Sequence, residues 1–476
     1  MSTSSTAVRT PRAPRTSDDP ADRAAAAKAL RTAVPLRSHA DLDLAAERDP
    51  VGLLLGQAES RVPELVPLRH GRMLASPFAF YRGAALPMAA DLSRTPTSGL
   101  RAQLCGDAHL ANFGAFASPE RRLVFDLNDF DETLPGPFEW DVKRLVASLE
   151  VAARERGFQR KARQKIVLAG AKRYRETMRE FAAMPNLEVW YAGIDVEEAL
   201  RTYRKNLKKG RYESTAALLA KARKRDSTQA LGKLTTMVDG QRRIVSDPPL
   251  VVPAEDLFTE IESDSLYREL GHLVGRYGDS LPANRRHLLH QFRLVQVARK
   301  VVGVGSVGTR AWILLLEADG GREWLFLQAK EAQASVLADY AGASRYDNQG
   351  HRVVAGQLMM QAASDIFLGF QRTTGLDGID RDYYVRQLRD WKLSAPIEEM
   401  IPSGMGTYAE LCAWTLARAH ARTGDRIAIA AYLGGSDKFD KALVEFADAY
   451  ADTNERDHAA LAQAVADGRV QAAPVS

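Results

Sequence analysis

The stretch QLCGDAHLANFG, residues 103–114, brings Asp107, His109 and Asn112 onto one short segment between Gly106 and Gly114. A carboxylate of this kind can take a proton from a hydroxyl, an imidazole can fix a loop, and a carboxamide oxygen can help hold a hard cation. A second stretch, LVFDLNDFDE at 123–132, crowds Asp126, Asp129 and Asp131 onto a turn. Three carboxylates repel one another unless a cation or several N–H donors compensate. A divalent cation with oxygen ligands is one explanation, and an exposed acidic turn capped by Asn128 is the other.

A third group lies much later in the chain. Gly303, Gly305 and Gly308 of VGVGSVGTR satisfy the spacing G-x-G-x-x-G. A dinucleotide site needs a helix directly after the third glycine, whereas TRAWILLLEA follows here and reads as a strand. Strand, glycine turn and strand is the form of loop that covers nucleotide phosphates in kinases, and Ser306 sits inside it. A flexible hairpin turn is the competing reading. In the next run, LFLQAK, alternation puts Phe326, Gln328 and Lys330 on one face. A lysine there can reach phosphates, although a lysine ending a strand is also an ordinary solvated terminus.

These residues need elements to hold them. Short helical patterns run from about 40 to 100, where Phe78, Phe80 and Tyr81 read as core and Arg72 and Arg82 have the reach to meet an anion. Residues 100–131 read as strands, and EWDVKRLVASLEVAARERG, after the PGP breaker, has the period of an amphipathic helix. Residues 158–235 read as basic helices whose densest charge lies in KNLKKGRY and LLAKARKRD, either a solvated face or a groove for an anionic acceptor. An antiparallel meander is expected over 296–330, a helix over 350–363, a strand in YYVRQLRDWK, and helices over 407–465.

Composition bounds the rest. The chain has 476 residues, 45% hydrophobic and 26% charged, which predicts a soluble globular protein of more than one unit. The formal charge of +5 is weak evidence for an acidic partner, so nucleic acid is an unlikely one. Two cysteines, Cys105 and Cys412, suit a reducing cytoplasm and exclude a cysteine-rich metal site. No apolar run reaches the roughly eighteen residues of a membrane helix, and the N-terminus lacks a signal-peptide core. The first forty residues read as a disordered basic tail.

GDAHLAN and NDFDETLPGPFEWD together resemble the aminoglycoside and choline kinase branch of the protein-kinase-like superfamily. Gly106, Asp107, His109, Asn112, Asp129, Phe130 and Asp141 carry the likeness, with the later glycine and lysine segment. The resemblance implies an α+β fold of two lobes, the larger mostly helical and the smaller an antiparallel sheet. It also implies an ATP- and Mg²⁺-dependent phosphotransferase acting on a small-molecule hydroxyl. Asp107 would orient the acceptor. Asn112 and Asp129 would hold the metal, with Asp126 or Asp131 as a further ligand. Lys330, Gln328 and the turn of Gly303, Gly305, Ser306 and Gly308 would hold the nucleotide, and His109 would fix the loop.

The order of these parts departs from the branch, because Asp107 precedes Gly303. The helix YAELCAWTLARAHARTGD looks like the one that comes just before the catalytic loop in such kinases, which implies a circular permutation. The expected units are the tail (1–40), a catalytic-loop half of the helical lobe (41–290), the sheet lobe (291–395) and closing helices (396–476). Cys105 stands where the branch has His, and Gln328 where it has a small residue. Glu331 is too close to pair with Lys330, which leaves Asp339 or a Gln of AGQLMMQ. A non-catalytic pseudokinase, a nucleic-acid scaffold and nucleotidyl transfer are the alternatives. The segments RMLASPFAFYRG, GDAHLANFG, FDLNDFDE, VGVGSVGTR and VRQLRDWK also resemble the bacterial family called domain of unknown function 2252.

Overall fold

Alternating apolar residues along 293–332 form three antiparallel strands, as the meander pattern requires. The computed structural model describes residues 17–203, 219, 223, 227–301, 303–375, 377–388 and 391–474. It places those strands in a six-stranded antiparallel sheet. From one edge to the other the strands are Gly369–Thr374, Asp380–Gln387, Glu323–Ala332, Ala311–Ala318, Arg293–Lys300 and Val251–Pro253. Leu314 faces Leu327 and Leu316 faces Leu325 across the central pair. These leucines bury one face against Leu266 and Tyr277 of the helix Ser263–Gly278. The opposite face carries Ile313, Leu315 and Phe326, and further along the same strand it presents Gln328 and Lys330 to a cleft.

Across the cleft stands a helical body. Its central helix, Phe138–Glu155, starts directly after Pro137 and is buried along nearly its whole length, so Asp141 and Arg144 lie inside the protein. The helices Arg160–Ala182, Pro402–Thr423 and Lys438–Ala466 pack around it through Leu149, Tyr174, Leu416 and Phe446. Two short strand pairs deliver the acidic segments to the cleft. Arg101–Leu104 pairs with Leu134–Pro137, and Phe113–Ala117 pairs with Leu123–Leu127. The fold is therefore mixed α+β with antiparallel sheets. Among the described residues no helix is long and apolar enough to cross a membrane.

Two expected boundaries move. Residues 17–40 are not a disordered tail. Asp19 caps the helix Pro20–Ala29 and Pro20 opens it. The segment docks on the C-terminal helices through an Arg23–Asp425 ion pair at 3.0 Å and a His39–Tyr432 hydrogen bond at 2.7 Å. The sheet unit begins well before 291, because Ala254, Leu266, Tyr277, Leu281 and Leu289 share a core with Val297 and Leu327. Of the two basic runs between 158 and 235, KNLKKGRY lies outside the described residues, as does most of LLAKARKRD.

Candidate active site

The Asp107 turn is held from the central helix. Gly106 has φ +83°, and a Cβ there would stand 2.3 Å from the Glu132 carbonyl oxygen, so both conformation and space demand glycine. The Asp141 carboxylate accepts the N–H groups of Cys105 at 2.8 Å and Gly106 at 3.0 Å, and His420 Nε2 lies 3.3 Å from it. One helical turn further on, Arg144 donates from Nε and Nη2 to Asp107 Oδ1 at 2.9 and 2.7 Å. The other oxygen, Oδ2, lies 3.5 Å from His109 Nε2, and the carboxylate keeps 22% of its surface open to the cleft. Burial depresses His109 to about 4 despite Asp107 beside it, so the ring is neutral at physiological pH and too weakly basic to be the general base.

Asn112 works as a clamp. Its Nδ2 donates to the backbone carbonyls of Asp107 at 2.9 Å and Asp129 at 3.0 Å, and its Oδ1 accepts the Asp129 N–H at 2.7 Å. One lone pair of Oδ1 is left for a cation. The carboxamide thus ties the Asp107 turn to the acidic turn, and it fixes the spacing between Asp107 and Asp129.

The lysine strand approaches from the other side. Lys330 pairs across the sheet with Tyr384, and its Nζ lies 3.0 Å from Asp131 and 3.5 Å from Asp129. Burial opposes the charge, but Asp129 and Asp131 outweigh it and hold the ammonium well above the ordinary lysine range. Asp129 is likewise held below the usual carboxylate range, because Lys330, Arg386 and Lys392 overcome its burial. Asp131 also accepts from Tyr384 Oη at 2.6 Å and from Ser306 Oγ at 3.3 Å, which links the glycine turn to the same cluster. The lysine's acidic partners are therefore Asp131 and Asp129, neither Asp339 nor a glutamine. Gln357 lines the cleft but bonds to Gln361.

One cavity of about 1550 Å³ is lined by Asp107, His109, Asn112, Asp129, Asp131, Gly303, Gly305, Ser306, Gln328 and Lys330. Gly308 is close by, and a Cβ there would stand 3.0 Å from the Arg61 side chain. Asp126 is not in this cavity. It is buried and accepts from Arg418 at 2.6 Å and from the Ala362 N–H at 2.9 Å, because its place on a strand directs it into the core. The three carboxylates of the acidic turn thus go to two environments, Asp129 and Asp131 to Lys330 at the cavity and Asp126 to Arg418 in the core. Among the described residues no group of three or more His, Cys, Asp or Glu side chains is arranged to hold a metal alone. Mg²⁺ is commonly held by one or two carboxylates together with substrate phosphates, and the partly exposed Asp129 fits that requirement.

Arg144, Tyr384, Arg386 and Glu132 escape a reading of the sequence. Arg144 carries a weak signal, since it follows Asp141 by three positions on one helix face. Tyr384 and Arg386 carry none, because only strand register brings them opposite Lys330 and Gln328. The Glu132 carboxyl accepts the Val336 N–H at 2.7 Å, and burial pushes it up to about 7. Its pKa when folded lies above the ordinary 4.5, so its contribution to stability is full below about 4.5 and is lost as pH rises through 7. Glu132→Gln should therefore raise the melting temperature relative to wild type at pH 8 and lose that advantage near pH 4.5. An equal difference at both pH values would contradict a proton-linked role.

Residues 61–464 match the family model described as uncharacterized protein conserved in bacteria (DUF2252). No curated protein and no solved structure matches the chain.

Proposed function

Since the chain belongs to the DUF2252 family, whose description carries no activity, we propose from the cleft itself that it is an ATP- and Mg²⁺-dependent phosphotransferase acting on a small-molecule hydroxyl. We take its architecture as a circularly permuted, two-lobed, protein-kinase-like one. The observation that carries this reading is the meeting of Lys330 with Asp129 and Asp131, at 3.5 and 3.0 Å, on the same cavity as Asp107 and the glycine turn. Strand, glycine turn, strand, lysine strand and helix follow one another from Arg293 to Met360, the order of parts that covers and neutralises phosphates in kinases.

Permutation is supported by the neighbours of the first strand. The Gln103 N–H donates to Thr423 Oγ1 at 3.2 Å, and a Cβ on Gly424 would stand 2.9 Å from the Arg101 carbonyl. The helix Pro402–Thr423 therefore ends beside the strand that leads into the Asp107 turn, although most of the chain separates them in sequence.

The chain's own groups have distinct tasks in this reading. Arg144 holds Asp107 so that one carboxylate oxygen faces the cleft and takes the proton of the acceptor hydroxyl, while the hydroxyl oxygen bonds to the terminal phosphorus and the bond from that phosphorus to the ADP oxygen breaks. Asn112 keeps Asp107 and Asp129 at fixed separation. Lys330 and the N–H groups of the glycine turn bind phosphate oxygens, and Gln328 borders the nucleotide. Asp129 and the free lone pair of Asn112 would hold a Mg²⁺ bound with the nucleotide, which would supply charge neutralisation.

Incubating the protein with Mg²⁺, ATP and a library of hydroxylated metabolites tests the reaction class. Mass spectrometry should find ADP and an acceptor heavier by one phosphoryl group. AMP with a nucleotidylated product would show nucleotidyl transfer instead, and unchanged ATP across the library would count against catalysis.

A further inference from the structure

Three arginines of the N-terminal segment, Arg61 in the bend after the helix Pro50–Ala58 and Arg69 and Arg82 on the helices that follow, converge on the wall of the cleft beside the glycine turn. None has a carboxylate partner within ion-pair distance among the described residues. Arg69 is 0% exposed. Its Nη2 donates to Gln57 Oε1 at 2.7 Å and to the Gly83 carbonyl at 3.0 Å, while Nε and Nη1 have no partner. Arg61 is 6% exposed, spends Nη1 on the Val307 carbonyl and leaves Nε unpartnered. Arg82, half-buried, also leaves its Nε unpartnered. All three line the same cavity as Lys330 and Asp107.

The glycine turn is pressed onto this group. A Cβ on Gly305 would stand 3.2 Å from the Arg82 carbonyl, one on Gly308 would stand 3.0 Å from the Arg61 side chain, and Arg72 donates to the Gly303 carbonyl at 2.6 Å. Asp131, Glu132 and Glu331 act on Arg61, and Asp107 and Glu398 on Arg82, from beyond ion-pair distance without offsetting burial. A guanidinium left with unpartnered N–H groups gains most from hydrogen bonds to an oxyanion such as phosphate. Burial lowers the proton affinity of all three, and Arg61 and Arg69 also repel each other, which an arriving dianion would reverse.

We propose that Arg61, Arg69 and Arg82, together with the backbone of the glycine turn, form an oxyanion subsite that binds a phosphoryl group. The subsite stands on its own geometry, whether or not the cleft transfers phosphate. The group it takes has two sources, the phosphate tail of a nucleotide or a phosphate ester already present on the acceptor.

Calorimetric titration of the full chain with inorganic phosphate, at constant ionic strength, tests the subsite. Wild type should bind, and Arg82→Gln and Arg69→Met should each weaken binding about tenfold or more, the effect of losing a charge-assisted hydrogen bond. Where Arg69→Met does not fold, Arg82→Gln decides, because its Nε has no partner to lose. Absent phosphate binding in wild type, or unchanged binding in folded variants, overturns the proposal. A second titration with saturating Mg²⁺ and a non-hydrolysable ATP analogue identifies the source. Retained phosphate binding supports an acceptor-side subsite, and displacement supports the nucleotide tail. Nucleotide binding is read separately in these titrations, so its failure would count against the phosphotransferase reading and leave the subsite to be judged on phosphate alone.

Discussion

Asp107→Asn is expected to lower phosphoryl transfer by ~10²–10⁴-fold, the size of a general-base contribution, while leaving nucleotide binding near wild type. The amide retains an oxygen that accepts from Arg144, so the turn keeps its shape, but it cannot take the acceptor's proton. Arg144, only 3% exposed, loses its counter-charge, so stability should also fall. Rates therefore have to be compared at a temperature where circular dichroism shows both proteins folded. Turnover of Asp107→Asn within a few-fold of wild type would remove Asp107 from the chemistry. The low basicity of His109 makes it a poor substitute, so residual activity should not fall between pH 8 and pH 6 as it would with an ordinary histidine as the base.

Asp126→Ala should be the most destabilising change near the acidic turn, at about 3–5 kcal/mol, without a specific effect on nucleotide affinity. Asp126 and Arg418 are each 1% exposed and 2.6 Å apart. Burial raises the aspartate above its usual range and lowers the arginine, so desolvation outweighs attraction on both sides of the pair. Such a pair adds little net stability, yet removing one partner strands the other. Arg418 already has Nε and Nη1 unpartnered, and the Ala362 N–H would lose its acceptor. Urea denaturation should show the loss, and Asp126→Leu with Arg418→Met should recover most of it. A single variant as stable as wild type would mean that the site relaxes or admits water. Weakened Mg²⁺·ATP binding in a folded Asp126 variant would return this residue to the list of metal ligands.

What the sequence reveals about this cleft depends on how local each signal is. The Asp107 turn is legible because Gly106, Asp107 and Asn112 act on one another within a few residues. The Lys330 strand is legible because alternation over ten residues sets its faces. Asp131 as the lysine's partner is not legible, since the contact spans 199 positions and depends on how the sheet meets the acidic turn. Asp126 misleads for a related reason. Its neighbours in sequence suggest a metal ligand, while the strand alternation that turns it toward Arg418 becomes visible only once Leu123–Leu127 is paired. The segment from Pro20 carries a local helix signal in the Asp19 cap, Pro20 and its alanines, masked by the Ser-, Thr-, Pro- and Arg-rich residues before it, and docking through Arg23, Ala27 and Leu36 fixes its place. The same limit hides Arg61 and Arg69, whose significance lies in the partners they lack.

Calorimetric titration of Mg²⁺·ATP into wild type, Asp129→Asn and Lys330→Ala tests the central claim most directly. The account predicts binding by wild type that weakens about tenfold or more in both variants, which would place the acidic turn and the lysine strand in one nucleotide site. Absence of binding by folded wild type, or equal affinity in all three proteins, would contradict it.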